Sequence, residues 1–236
     1  MLKDKTVLVI GRGSGIARGI AQAALEAGAN VIVAGRRPET LTEAYSGEPG
    51  VRVETVDLND DASIAALAER VGELDHLVST ASARARGRLE TLERDAIRRS
   101  LDTKVIGPLM LARAFHPRVR EGGSILLFSG VAAFKIEVGT LAVAITNGAA
   151  DTLTRSLAVE LAPIRVNAIS PGVVDTGAWD ALGAEGKGKL FADLTEQNPA
   201  RRIGTTHDVA SAAMLALTNP FMTGLTLHVD GGERLT

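Results

Sequence analysis

No cysteine occurs anywhere in the 236 residues, which excludes disulfides, thiol nucleophiles and cysteine-ligated zinc or iron–sulfur centres. Histidine is nearly as scarce. His76, His116, His207 and His228 are scattered without the close spacing of a ligand set, so metal catalysis is not expected. There is no apolar run of about eighteen residues, the length that a membrane-spanning helix needs. Met1 to Ile10 carries Lys3, Asp4 and Lys5 where a secretory segment needs a long apolar stretch. A cytoplasmic protein with no membrane partner is expected. An excess of one charge is also missing: 26 Lys+Arg stand against 28 Asp+Glu. That balance removes the electrostatic case for nucleic acid, and the local cluster Arg84, Arg86 and Arg88 reads as a solvated loop.

What is present is a hydrophobic content of 45% in a chain long enough to bury about three quarters of its unfolded surface. One domain over 1–236 is expected, because α/β folds of about this size are often undivided. Short β-branched runs alternate with segments of helical period, the pattern of a parallel sheet covered on both faces. The strands are expected at Thr6 to Ile10, Asn30 to Ala34, Val51 to Val56, His76 to Ser79, Ser124 to Ser129, Arg165 to Ile169 and Leu225 to Val229. Helices are expected at Ile16 to Ala27, Ala62 to Val71, Leu92 to Phe115, Leu141 to Leu161 and Asp208 to Leu217. From Asp175 to Pro199 the periodicity fades, so residues 175–200 are expected to form a loop-like segment covering a substrate.

The run Val7-Leu8-Val9-Ile10 leads directly into Gly11-Arg12-Gly13-Ser14-Gly15-Ile16-Ala17 and then a helix. Glycine at such a strand-to-helix turn lets the backbone approach a pyrophosphate. N–H groups and the positive end of the helix dipole then meet the charge. Ala17 is small enough for helix–strand packing. An ordinary Gly-rich βα turn has the same spacing, so the next strand supplies an independent check. An NAD site places Asp or Glu at its end for the ribose hydroxyls, whereas here the strand ends Ala34-Gly35-Arg36-Arg37. Two guanidinium groups can receive a 2′-phosphate through charge-assisted hydrogen bonds, with Arg12 adding a third cation. NADP(H) is the expected cofactor.

Taken together with Asp57-Leu58, Arg165-Val166-Asn167, Ser170-Pro171-Gly172 followed by Thr176, Asn198-Pro199, Arg202-Ile203-Gly204 and Val229-Asp230-Gly231-Gly232, these motifs give a family resemblance. The chain resembles the short-chain dehydrogenase/reductase family over essentially its whole length. The resemblance implies a Rossmann-type, doubly wound parallel sheet of seven strands in the order 3-2-1-4-5-6-7. It also implies that Asp57 meets the adenine and Thr176 the nicotinamide amide, and that Leu58, Thr80, Ala81, Pro171 and Gly172 border the cofactor. A homodimer or homotetramer through Leu92 to Phe115 and Leu141 to Leu161 is a further implication.

Most enzymes of that family reduce carbonyls with an Asn, Ser, Tyr and Lys quartet. A free phenol loses its proton near pH about 10, so a neighbouring ammonium has to lower that value for work near neutrality. Alignment puts Lys104 at the asparagine position, Gly130 at the serine, Val143 at the tyrosine and Asn147 at the lysine. Anchoring on Asn167 instead moves the tyrosine position to Leu141, with the same result. Tyr45 is the only tyrosine in the chain. Lys104 and Asn147 thus stand exchanged relative to the family pattern, and Lys104 reads equally as a solvated helix residue or as a desolvated cation beside the nicotinamide. Ser129 neighbours Gly130 but points to the opposite face of an extended strand, which favours a structural role. Glu137, Asp151 and Asp175 are candidate acids without a motif. Three functions stay open: a reductase of quinones or activated carbonyls by a non-tyrosine route, with a small-molecule substrate; a redox-silent NADP(H) sensor or inactive oligomer partner with no substrate; and a lyase or isomerase on the same scaffold.

Overall fold

A computed structural model describes residues 2–236. Seven strands form one parallel sheet: β1 (Thr6–Ile10), β2 (Asn30–Gly35), β3 (Val51–Thr55), β4 (Leu74–Ser79), β5 (Val119–Phe128), β6 (Arg165–Pro171) and, after a two-strand pair, β9 (Thr226–Val229). Their order is β3-β2-β1-β4-β5-β6-β9, which is the expected doubly wound order with β9 as its seventh strand. Every neighbouring pair is parallel. The β-branched runs form these strands because both faces are covered, so each position along the centre meets an apolar layer.

Alternation along β1 divides the core. Val7 and Val9 face α1 (Gly15–Glu26), α2 (Pro38–Ala44) and α8 (Thr206–Thr218), packing with Ile20, Leu41 and Ala213. Leu8 and Ile10 face α3 (Asp61–Val71), α5 (Gly107–Phe115) and α6 (Leu141–Glu160), packing with Leu67, Phe115 and Leu157. Burying each such large side chain contributes about 1.5–3 kcal/mol.

Two expectations need correction. The stretch Leu92 to Phe115 is not one helix: α4 (Arg94–Leu101) and α5 are joined by a π-helical turn, Asp102–Ile106, in which the Gly107 N–H donates to the Asp102 carbonyl. Pro108 is the cause, since a regular helix would need its missing N–H at the Lys104 carbonyl and would drive the ring into that oxygen. The segment 175–200 is not loop-like either, because α7 (Gly183–Gln197) occupies most of it. None of its residues is buried, and Gly186 and Gly188 dilute the apolar stripe that Leu190, Phe191 and Leu194 supply. One further helix, α2, absent from the expected set, begins at Pro38 directly after Arg36 and Arg37.

The short strands β7 (Val174–Asp175) and β8 (Gly204–Thr205) pair with each other and tie down both ends of the α7 excursion. Within it, Lys187 bridges Asp175 at 3.0 Å and Asp180 at 2.7 Å. The Trp179 indole N–H donates to the Val174 carbonyl, and its ring meets Phe191 edge-on. No helix among the described residues is long and apolar enough to cross a membrane.

Candidate functional site

The sheet reverses its winding between β1 and β4, which pair along Val7–Ile10 and His76–Ser79. A crevice outside the carboxyl ends of the strands at such a switch point is where α/β sheets take ligands. The Gly-rich turn sits there. Thr80, just beyond β4, is anchored to the end of β1, its backbone N–H and its hydroxyl both donating to the Ile10 carbonyl at 2.9 and 3.0 Å. This works only beside a glycine, since a Cβ on Gly11 would stand 2.2 Å from the Thr80 Oγ1. Gly15 has φ +61° and packs against Thr176. The turn, Thr80 with its neighbour Ala81, and Thr176 are therefore brought together from three distant stretches of sequence. Ser14 is the N-cap of α1 but makes no side-chain capping bond, and Ile16 packs on the core behind it.

Arg12, Arg36 and Arg37 are exposed, and none forms an ion pair among the described residues. Gly35 has a steric reason to lack a side chain: a Cβ there would lie 2.8 Å from the Gly11 carbonyl oxygen. Asp57 accepts the Asn59 N–H, and its own N–H is held by the Ser63 hydroxyl at 3.0 Å, while Leu58 is buried. Pro171 ends β6, and Gly172 abuts Asp230.

Further along the sheet edge, Lys104 emerges from the π turn and is 9% exposed, its Nζ donating to the Ser129 carbonyl at 2.8 Å. Ser129 in turn donates its hydroxyl to the Asn147 carbonyl at 2.9 Å. The Asn147 amide fills the space beside Gly130, where a Cβ would lie 2.7 Å from Nδ2. Its Oδ1 is buried without a partner. Lys104 and Asn147, distant in sequence, thus converge on the dipeptide Ser129-Gly130. Burial, and then the charge of Arg84, push the Lys104 ammonium down to about 7. Lys104 is accordingly not a solvated helix residue. Val143 is buried one turn before Asn147 on α6.

Tyr45 is removed from this edge: it lies in the core of the α1 face, and burial raises its hydroxyl to about 12. The candidate acids are engaged elsewhere. Asp175 is bound to Lys187, Asp151 to Arg155 and Thr226, and Glu137 lies near Lys135. Arg84 lies exposed in a loop, as expected, and the influence of its charge on Lys104 is what sequence reasoning did not anticipate.

The family model described as enoyl-(acyl carrier protein) reductase matches residues 10–233. The short-chain dehydrogenase/reductase ucsE of an Acremonium species is 31% identical, over 98% of this chain and 96% of its own length. The chain belongs to the short-chain dehydrogenase/reductase family. Among solved structures of this family of oxidoreductases, a small-chain dehydrogenase in complex with NADPH superimposes with a TM-score of 0.83 at 29% identity, covering 99% of this chain and 100% of that one. The MalC reductase/Diels-Alderase of Malbranchea aurantiaca reaches a TM-score of 0.92 at 27% identity, covering 100% and 98% of the two chains.

Proposed function

We propose that this short-chain dehydrogenase/reductase binds NADP(H) and reduces an activated acceptor, a quinone or a polarised carbonyl, by a route that uses no tyrosine. The fit to the dinucleotide rests on the cradle at Gly11, Gly13 and Gly15, the N-terminus of α1 left without a side-chain cap, and two exposed arginines without a carboxylate at the end of β2. In that arrangement Arg12, Arg36 and Arg37 hold a 2′-phosphate, Asp57 and Leu58 border the adenine, Thr80 and Ala81 flank the crevice, and Pro171, Gly172 and Thr176 border the nicotinamide. The bound nicotinamide supplies or accepts a hydride. The similarity to a protein crystallised with NADPH supports the choice of cofactor.

The observation that carries the reductase reading is the buried ammonium of Lys104, poised near neutrality at the carboxyl end of β5. An acceptor that takes hydride readily develops negative charge on oxygen, and a preorganised cation stabilises it in a water-poor site. Lys104 gives one proton to that oxygen and is reloaded from solvent. Asn147 presents its unpartnered Oδ1 as an acceptor for a hydroxyl or amide of the bound molecules.

A redox-silent binding module is the second reading, favoured by the buried Val143 at the place where the family resemblance puts tyrosine. The MalC name, which joins a reductase to a Diels-Alderase, keeps a non-redox activity in view. One assay separates these readings. Nicotinamide fluorescence is used to compare NADPH with NADH, and turnover is then followed with a panel of quinones and activated carbonyls. Steady NADPH oxidation that drops strongly in Lys104→Ala supports the reductase. Tight NADPH binding without consumption supports the silent module, and failure to bind either dinucleotide rejects both.

A further inference from the structure

The segment 230–236, which follows β9, grips the α7 excursion on both sides of the helix. On the far side, the Asn198 side-chain amide donates to the Asp230 carbonyl at 2.9 Å, and the Ala200 N–H donates to the Gly231 carbonyl at 2.9 Å. On the near side, the Glu233 Oε2 accepts the Val173 N–H at 2.9 Å. The carboxylate reaches it across Gly172, where a Cβ would stand 2.5 Å from the same oxygen. The Val173 carbonyl accepts the Gly204 N–H at 3.1 Å, so both backbone polar groups of Val173 are held. A cavity of about 10 Å³ lies between the two grips, lined by Val173, Glu233 and Thr236 and by Leu194, Asn198 and Ile203. That is room for no more than about one water, so the segment and the excursion are in near contact.

The grip is itself rigid. Asp230 is buried, takes the Arg234 Nη1 on both carboxylate oxygens at 2.8 and 2.9 Å, and accepts the Gly232 N–H at 3.0 Å. Gly231 and Gly232, at φ +62° and +87°, make a turn that a residue with a Cβ would resist. Glu233 forms no ion pair among the described residues. Lys135, which lines the same cavity, turns instead to Glu137 at 3.7 Å and to the Thr236 hydroxyl at 3.5 Å. Burial raises the Glu233 carboxyl above the ordinary glutamate value, against the Val173 N–H and Lys135, which lower it. A half-buried carboxylate without a cation is costly unless a hydrogen bond meets it. The bond that meets this one belongs to the stretch 172–176, and Thr176 at its end packs on Gly15 of the phosphate turn.

We propose that Glu233 is a positioning residue for the nicotinamide half of the cofactor site: by holding the Val173 N–H it fixes the backbone of 172–176, while its own segment sets where the α7 excursion returns. This rests on the reading of the crevice as an NADP(H) site, with Pro171, Gly172 and Thr176 at the nicotinamide. Glu233 acts through Val173 rather than by touching the dinucleotide. Any shift of the excursion reaches the nicotinamide border through this segment. The adenine half, assigned to Arg12, Arg36, Arg37 and Asp57, lies beyond its reach.

Calorimetric titration with NADPH and with adenosine 2′,5′-bisphosphate, which has the adenine and the 2′-phosphate but no nicotinamide, separates this role from a merely structural one. Glu233→Ala is expected to weaken NADPH roughly tenfold, the worth of one hydrogen bond to a charged group, and to leave the bisphosphate unchanged. Glu233→Gln, whose side-chain oxygen still accepts the Val173 N–H, restores most of the NADPH affinity. Glu233→Asp keeps the charge but stops one methylene short of Val173, and repeats the loss even if Glu233→Ala does not fold. Equal losses for the two ligands, no loss of NADPH affinity, or no rescue by Gln overturns the proposal. Hydrogen exchange of the 172–176 amides in the cofactor-free protein needs no dinucleotide, and is expected to quicken in Glu233→Ala and Glu233→Asp but not in Glu233→Gln. If NADPH fails to bind the wild type, the cofactor reading falls. Faster exchange confined to 172–176 then upholds Glu233 as the residue that fixes this stretch, and unchanged exchange overturns it.

Discussion

The side-chain amide of Asn147 occupies the space that Gly130 leaves by having no Cβ, at a distance of 2.7 Å from where that atom would be. The two positions are therefore sterically coupled, although sixteen residues and a helix start separate them in the chain. Gly130→Ser is expected to cost about 1–3 kcal/mol by overpacking, and Asn147→Ala to remove most of that cost. Urea unfolding of the four proteins in the double-mutant cycle measures the coupling. Additive effects would refute it.

Lys104 predicts an unusual dependence of stability on pH. Its folded pKa is near 7, and the unfolded side chain keeps its proton to about 10.4. Between these values the unfolded state binds the extra proton, so folding stability rises with pH on account of this group, by on the order of 1 kcal/mol per unit. Lys104→Met is expected to be more stable than wild type at pH 7, with the difference shrinking towards pH 9. A constant difference across that range would show that the ammonium is not desolvated.

His76 acts at the other end of the scale. Burial pushes its imidazole down to about 4, and its Nδ1 lies 2.9 Å from the Ser124 Oγ. It is neutral when folded, whereas the unfolded ring takes a proton below about 6.5. The stability associated with this group is present above pH 6.5 and is lost as pH falls towards 4. His76→Gln is expected to flatten the acid limb of a melting-temperature profile, and an unchanged limb would place the acid sensitivity in carboxylates such as Asp75.

Cofactor choice is expected to follow Arg36 and Arg37. Replacing either with alanine should weaken NADPH by roughly tenfold, the worth of a charge-assisted hydrogen bond of about 1.5 kcal/mol, and leave NADH nearly unchanged. Gly35→Asp is not expected to create an NAD enzyme, because the new Cβ would meet the Gly11 carbonyl at 2.8 Å and displace the phosphate turn. Dinucleotide titrations by nicotinamide fluorescence check both statements.

The strands were legible because Val7 to Ile10 and Val31 to Ala34 are apolar throughout, as only strands covered on both faces need be. The Gly-rich turn was legible because glycine spacing is local. The π turn was not read, although Pro108 marks it, because a periodicity scan passes over a single widened turn. Helix α7 was missed because a helix that buries none of its residues leaves little pattern behind. Gly35 against Gly11 and Gly130 against Asn147 are contacts between distant segments. Each depends on how strands and loops are spaced in three dimensions, and no local rule contains that information.

Trp179 is the only tryptophan in the chain, and it sits where the α7 excursion leaves β7, held by the Val174 carbonyl and the edge of Phe191. Indole emission overlaps the absorption of reduced nicotinamide. The protein thus carries its own donor chromophore on the segment beside the crevice, and resonance energy transfer to a bound dinucleotide reports the distance between the two without any label.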